Sequence, residues 1–598
     1  ECAWDDLLVP EHRALDVRPT LGLMFGGEDL GALRAKLARR PYAKLMDRLR
    51  TRAHGFADLE PWRGVGRWPN MRKPRCYRQR GPEHIEQLAM RLGGFVGLID
   101  NDAKLLRMAA NHALALAHCD TFAPEFQPTI AGSAWEQRAF FEYRYAQNLI
   151  YAWDFAGCCV TPAGHQLFGQ AISTKALPWV MQSLMRHPYV RTCNQGAYFS
   201  WGALVCLLAL TKLYPLAHEW VDVPVKALDE TVNTCLGPDG GAFEGVGYAA
   251  ATAGHALAAY ALLARHRGVP VESLVPERLR KFGDYLMTMI STRRPYGAAI
   301  KVADGGREGV IVYQDGLGLL HRITGDAKIG ALLAGMLDQD EHEEHPTTPG
   351  AIFSLVFGAA DLPEPAAQPA VFNVLPHTGM LCSNRATVDG QVRLQLIGAP
   401  ARAGHAHDDR GSFVIEAFGE EVAIDRGQMG YDDPRCGTIK FARYHNLLIP
   451  EGPDDLLPRQ LNPCPDATLP AGEGDQQTLH ASIDVTAAWG DLVTACTRRV
   501  DSEEPTRFTI IDHATLPTAR RVSFHVHSKH PWHESETGWV TRGERAQLTV
   551  TPDWQPEQAA GEEDFIDGEK QPVHHLTLIA PAAKTHELRT HLRVEPVR

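Results

Sequence analysis

The spacing of apolar residues changes period part-way along this chain, and that change limits the folds open to it. In LGLMFGGEDLGALRAKLARRPYAKLMDRLRTRA, Gly26-Gly27-Glu28-Asp29 precedes Leu30, Leu33 and Leu37 and, after Pro41, Leu45 and Leu49. That spacing is helical, and acidic residues at the start suit the positive end of a helix dipole. Similar amphipathic segments are expected over 86–99, 102–118, 140–153, 164–185, 198–213, 224–235, 248–265, 279–292 and 317–337. No strong period-two segment occurs before about residue 295. A Pro/Ala-rich connector, DLPEPAAQPAVF, covers Asp361–Phe372, and beyond it VRLQLIG, SFVIEAF, TRFTIIDHATL, RRVSFHVHS, RAQLTVT and HHLTLIAP alternate like strands. The expected fold is α+β and multidomain. A helical domain over 15–360 would form an α/α toroid or solenoid-like array, although no clean repeat is visible. An antiparallel β-sandwich domain would follow over 370–598.

Size and composition narrow the function classes. A chain of 598 residues exceeds one ordinary domain, and 44% hydrophobic residues suffice for extended cores. No run of about 18 apolar residues argues for a membrane span. A net charge of −12 speaks against an electrostatic nucleic-acid binder, but local Arg and His clusters could still receive an anion. The twelve Cys include no CxxC, and Cys158-Cys159 are adjacent, so neither a zinc ribbon nor a disulfide framework is indicated. The chain opens on Glu1 rather than Met, consistent with a mature or trimmed form from which any signal peptide would be missing. Oligomeric state is left open.

The densest chemistry lies in Gly404–Asn446, GHAHDDRGSFVIEAFGEEVAIDRGQMGYDDPRCGTIKFARYHN. His405 and His407 are two apart, so a strand there would put both imidazoles on one face. SFVIEAFGEEVAID reads as a hairpin around Gly419-Glu420. Asp425 ends its second strand, and His445 precedes a further apolar strand. His407, Asp425 and His445 are therefore candidates to converge as two imidazoles and one carboxylate, a set that suits zinc or another divalent transition ion. The plainer alternative is three satisfied histidines and acids of a β-domain.

Two helical-half segments also stand out. In RTCNQGAYFSWGAL, Asn194 falls at a helix entrance, where its amide could serve as a cap. In GPDGGAFEGVGYAAATAGHALAAYALL, glycines form a loop that brings Glu244, Tyr248 and His255 near backbone at the start of a small-residue helix. His525 and His527 in SFHVHSKH alternate like a strand face with no evident carboxylate partner. GQMG, GVG and GLG lack the strand–loop–helix context of a nucleotide site.

These motifs resemble the heparinase II/III-like polysaccharide lyases. The resemblance rests on His405-Ala406-His407-Asp408-Asp409, Asp425-Arg426-Gly427 and His445-Asn446, with the Asn194 turn and the Glu244-x-x-x-Tyr248 segment. It implies an incomplete α/α toroid followed by an antiparallel β-sandwich, and β-elimination on an acidic polysaccharide such as a glycosaminoglycan or alginate. By the same match Tyr248 is the catalytic acid and possible base, and Asn194 and His405 neutralise the substrate carboxylate. His407, Asp425 and His445 hold one mainly structural divalent ion, zinc or alternatively manganese. Gln195, Glu244, Arg138, Arg307, Tyr431 and Arg443 are substrate-binding candidates, since a guanidinium can hold carboxylate or sulfate in a bidentate manner. A periplasmic or secreted location is expected.

Several relatives carry His beside the Asn as a base, whereas this chain has Gln195, which cannot accept a proton usefully near neutral pH. That favours Tyr248 for both proton transfers, unless His187 or His405 serves as the base. The chemistry explains such a set. Donors aimed at the sugar carboxylate stabilise charge that develops when the C5 proton leaves. A Tyr with an ordinary pKa of about 10 is a competent acid, and needs stabilising neighbours to act as a base. Two rivals remain at this stage. One is a glycoside hydrolase using Glu244 with Asp239 or Asp304; the other is a non-catalytic binder of acidic glycans.

Overall fold

A computed structural model describes residues 4–61, 86–122, 139–293, 298–305, 316–338, 350–365, 369–402, 404–429, 433–452, 458–464, 468, 470–564 and 572–598. By internal contacts the chain forms two compact units. One comprises 1–234, 251–276 and 314–365; the other comprises 235–250, 277–313 and 366–598.

The first unit is helical and has the architecture of an incomplete α/α toroid. Ala103–Ala117 lies against Phe140–Ala156, and Phe140–Ala156 in turn against Gln195–Leu210, with two shorter α-helices intervening in the chain. Gln195–Leu210 (QGAYFSWGALVCLLAL) is apolar all round and is buried from Gly196 to Leu210 except at Tyr198, as a central helix must be. Asp102 starts its helix by accepting from the amides of Lys104 and Leu105. The helix expected over 317–337 is two, Leu317–Thr324 and Ala327–Asp338. Gly325 between them adopts φ +68°, a left-handed C-terminal cap that a periodicity count passes over. The small-residue helix is Val246–Arg267. Among the described residues it is long and apolar enough to cross a membrane, but 89% of its apolar window is buried inside the protein.

The second unit is an antiparallel sandwich. Strands β1 (Phe372–Leu375), β2 (Met380–Thr387), β3 (Gly390–Ile397), β4 (Phe413–Ala417) and β5 (Glu420–Ala423) form a five-stranded meander in that order. A ten-stranded sheet comprises β6 (Leu448–Pro450), β7 (Ala471–Gly474), β8 (Leu479–Asp484), β9 (Ala495–Glu504), β10 (Arg507–Ser528), β11 (Trp532–Ser535), β12 (Gly538–Arg542), β13 (Ala546–Pro552), β14 (Gln558–Asp564) and β15 (Val573–Pro596). The long strands β10 and β15 form its spine, pairing from Arg507↔Arg593 to Ser528↔His574 with a break near Thr515–Val522. Leu381, Leu394 and Phe413 of the small sheet share one core with Ile510, Phe524 and Leu578 of the large one. The expected β4–β5 hairpin is present, with its turn one residue earlier than Gly419-Glu420, since Glu420 already pairs with Ala417. Phe418 (φ 53°) and Gly419 (φ 86°) take the two positive-φ positions that match the twist of paired strands.

His525 and His527 lie in the sandwich interior with His575, and their partners are not carboxylates. His525 Nδ1 is 2.6 Å from His575 Nε2, the His527 ring stacks on His575 at 4.1 Å, and Arg426 Nη2 donates to His527 Nδ1 at 2.9 Å. Burial, with the charge of Arg443, pushes His525 down to about 3, and burial drives His527 and His575 well down. The folded unit thus keeps these imidazoles neutral, while the unfolded chain takes up protons as pH falls through about 6.5. Stability is whole above that value and is lost below it, His525 alone contributing a loss of about 2 kcal/mol at about pH 5. Urea denaturation of the sheet unit at neutral and mildly acidic pH should show that decline, and His525→Gln should flatten it.

Candidate functional site

Three separate segments of the second unit assemble one polar cluster. The first is the loop after Leu236, where Glu244 is buried and Tyr248 occupies the opening turn of Val246–Arg267. The second is the turn Ala303–Gly305. The third runs from Gly404 to Asn446. His405 and His407 are not on a strand, contrary to the sequence expectation, but in the loop that enters β4. Gly411, at φ +94°, turns that loop into the sheet. Backbone groups there bond outside any ladder, as in Asp408 N to Lys440 O at 2.9 Å, so alternation had nothing to report on.

His405 is held on two sides. Its Nδ1 is 2.6 Å from Glu244 Oε1, and its ring stacks on Tyr248 with centroids 3.9 Å apart and planes 11° from parallel. The Glu244 carboxylate only accepts, so Nδ1 carries a proton and Nε2 is left for another partner.

His407, Asp425 and His445 bring ligand atoms within 4.8 Å of one another, all three buried. His445 Nδ1 is 2.8 Å from Asp425 Oδ2, while Asp425 Oδ1 accepts from Gly427 N at 2.8 Å, closing the Asp-Arg-Gly turn with Gly427 at φ +64°. Burial opposes charge on both groups, yet their mutual attraction prevails, holding Asp425 below and His445 above their ordinary ranges. The His-Asn pair also has a structural half. Asn446 donates to Phe413 O and Ile424 O and accepts from His527 N, joining β4, the end of β5 and β10 next to His445. His407 Nδ1 and His445 Nε2 are buried with no hydrogen-bond partner among the described residues. Imidazole nitrogens reserved for a metal have that character, so the donor set fits a divalent ion held by His407, Asp425 and His445.

Sequence reading underused two residues. Asp304 is buried with Oδ1 2.9 Å from His407 Nε2 and Oδ2 2.6 Å from Lys440 Nζ. Burial would raise its carboxyl, but His407 and Lys440 outweigh that and hold it low. Nothing in the spacing links a residue at 304 to one at 407.

Other candidates are distributed as follows. Asn194 precedes Gln195–Leu210 in the helical unit; it is buried and makes no side-chain cap, so the capping alternative is set aside. Gln195 is half-buried on the first turn of that helix. Arg443 is half-buried, with its guanidinium over the Tyr444 ring at 5.2 Å. His255 is buried in the helical unit, its Nδ1 2.6 Å from Ala251 O. Arg138, Arg307 and Tyr431 lie outside the described residues.

No family model and no curated sequence matches the chain. Solved structures do. A heparan sulfate lyase HepC mutant from Pedobacter heparinus superposes with a TM-score of 0.61 at 14% identity, covering 95% of this chain and 88% of that one. The chain has the heparinase III fold. A crystal structure of heparinase III gives a TM-score of 0.61 at 12% identity over 86% of this chain and 77% of its own, and another heparinase III gives 0.59 at 12% over 95% and 93%. In this heparinase-like fold the sandwich unit supplies Tyr248, Glu244 and His405 as well as the His407–Asp425–His445 cluster.

Zinc supplied at a hundredfold of its dissociation constant is expected to stabilise the folded protein by about 2.7 kcal/mol. Calorimetry of the chelator-treated chain would show this as a rise in Tm, and His445→Ala should abolish the rise.

Proposed function

We propose that the protein is a polysaccharide lyase that cleaves an acidic, uronic-acid-containing glycan, a glycosaminoglycan or alginate, by β-elimination. The observation that carries the reading is the stack of Tyr248 on His405, with Glu244 hydrogen-bonded to the imidazole. Tyr248, as phenolate, takes the C5 proton; the electron pair left on C5 forms the C4=C5 double bond as the C4–O4 bond breaks, and the phenol passes that proton to the departing O4. Gln195, in a position where several relatives have a basic His, leaves Tyr248 to do both, which fits substrates whose C5 hydrogen and leaving oxygen lie on one face. To stabilise the carboxylate whose charge grows as the proton leaves, His405 must donate from Nε2 while Nδ1 donates to Glu244, so the imidazole acts in its doubly protonated form. Asn194 enters as a second donor to that carboxylate through the family resemblance, and Gln195, Arg138, Arg307, Tyr431 and Arg443 are proposed as substrate contacts. The ion held by His407, Asp425 and His445, zinc or manganese, would order the loop that carries His405, because a neighbouring ligand limits loop position and rotamer. A periplasmic or secreted location belongs to the same proposal.

The hydrolase alternative finds less support. Asp239 accepts from His377 N, Thr378 N and Thr378 Oγ1, Asp304 is engaged by His407 and Lys440, and Glu244 by His405. Carboxylates so engaged are ill suited to activate water or protonate a leaving group.

Incubation with hyaluronate, chondroitin, heparan and alginate should generate an ultraviolet-absorbing unsaturated end with at least one of them. Tyr248→Phe should reduce turnover by about 10²- to 10⁴-fold, the usual contribution of a positioned acid or base. New reducing ends without absorbance would identify a hydrolase instead. Binding with no turnover, unaffected by Tyr248→Phe, would identify a glycan-binding protein.

A further inference from the structure

The metal-centre loop is clamped by a residue about a hundred positions earlier in the chain. Asp304 has a fully buried side chain, and both its carboxylate oxygens and its backbone N–H are directed to His405, His407 and Lys440. Oδ1 meets His407 Nε2 at 2.9 Å, Oδ2 meets Lys440 Nζ at 2.6 Å, and its backbone N–H donates to His405 O at 3.0 Å. Lys440 Nζ also donates to Gly404 O at 3.1 Å. The preceding residue, Ala303, sits at φ 55°, a left-handed conformation that costs a residue with a Cβ about 1–2 kcal/mol. Backbone strain at that point is tolerated where surrounding contacts over-determine the geometry, and the Asp304 contacts supply such a constraint.

A carboxylate only accepts hydrogen bonds, so His407 must carry its ring proton on Nε2. Nδ1 then has the lone pair, and that nitrogen is the one left buried and without a partner among the described residues. An imidazole whose far nitrogen donates to a carboxylate is oriented, fixed in tautomer and made more basic toward a metal. Lys440 balances the Asp304 charge, so the pair remains tolerable in a dry interior.

We propose that Asp304 is the positioning residue of the metal centre, setting the tautomer and ring orientation of His407. Through its backbone contact to His405 it also links ion binding to the residue that stacks on Tyr248. This rests on the reading of His407, Asp425 and His445 as metal ligands.

The test is a zinc titration of the chelator-treated full-length protein in competition with a metallochromic indicator, with folding checked by circular dichroism. The wild-type chain should bind one zinc ion. Asp304→Ala should bind it about 10- to 100-fold more weakly, the range typical of lost outer partners of metal ligands. Asp304→Asn keeps an oxygen acceptor for His407 while losing the charge that faces Lys440, so its affinity should fall between the two. A merely structural loosening would not be rescued in that order. Should Asp304→Ala fail to fold, the Asn variant decides alone: unchanged affinity there overturns the proposal while leaving the metal ligands in place. A wild-type chain that binds no zinc would overturn the ligand reading and this inference together.

Discussion

A single buried guanidinium underlies the geometry of the sandwich unit. Arg498 on β9 pairs with the Asp512 carboxylate on β10 through Nε and Nη2, at 2.7 and 2.9 Å. Its Nη1 donates to Gly411 O at 2.6 Å and Asn446 O at 2.8 Å. Gly411 ends the loop that carries His405 and His407, and Asn446 directly follows His445. Neither loop has a strand ladder of its own, so its carbonyls would be costly to bury without such donors. A charge in that position is acceptable only because Asp512 is beside it, and removing either partner would strand the other. The wide antiparallel sheet therefore does more than supply a core, since its interior ion pair anchors the two loops from which the candidate ligands come.

The same demand for pairing runs through the rest of the cluster. Asp425 is matched by His445, His407 by Asp304, Asp304 by Lys440, and His405 by Glu244. Among the three candidate ligands, His407 Nδ1 and His445 Nε2 are buried without a hydrogen-bond partner among the described residues, and ligand atoms of His407, Asp425 and His445 lie within 4.8 Å of one another. Imidazole nitrogens left in that way give the metal reading a physical basis separate from resemblance. Burial then sharpens the chemistry, because interactions among fixed charges weaken far less there than in water.

Low identity to the heparinase III structures is compatible with shared architecture for a related reason. Cores accept wide substitution when volume and polar pattern are kept, whereas turns, caps and paired buried charges accept little. At 12–14% identity the matches with structures of this fold speak to architecture. The polar constellation carries the argument about chemistry, and it is built from side chains of this chain alone.

Much of this was legible in the residues. The helical period up to the Pro/Ala connector and the alternation beyond it reflect which faces are buried, and burial is what those patterns encode. The turn at Gly419 and that at Asp425-Arg426-Gly427 are local, so they too can be read along the chain, the first to within one residue. The loop character of His405 and His407 and the His525–His527–His575 cluster were not readable, because each depends on contacts between distant segments; the split at Gly325 is local, but a periodicity count passes over a single glycine cap. The sequence by itself determined the two architectures and the residue types available for chemistry, since hydrophobic period and turn preference act over a few residues. Tertiary structure alone decided that segments 235–250 and 277–313 join the sandwich unit, and that Glu244, Tyr248 and Asp304 meet His405 and His407. Hydrogen bonds and ring stacking between segments more than a hundred residues apart leave no periodic trace in a chain.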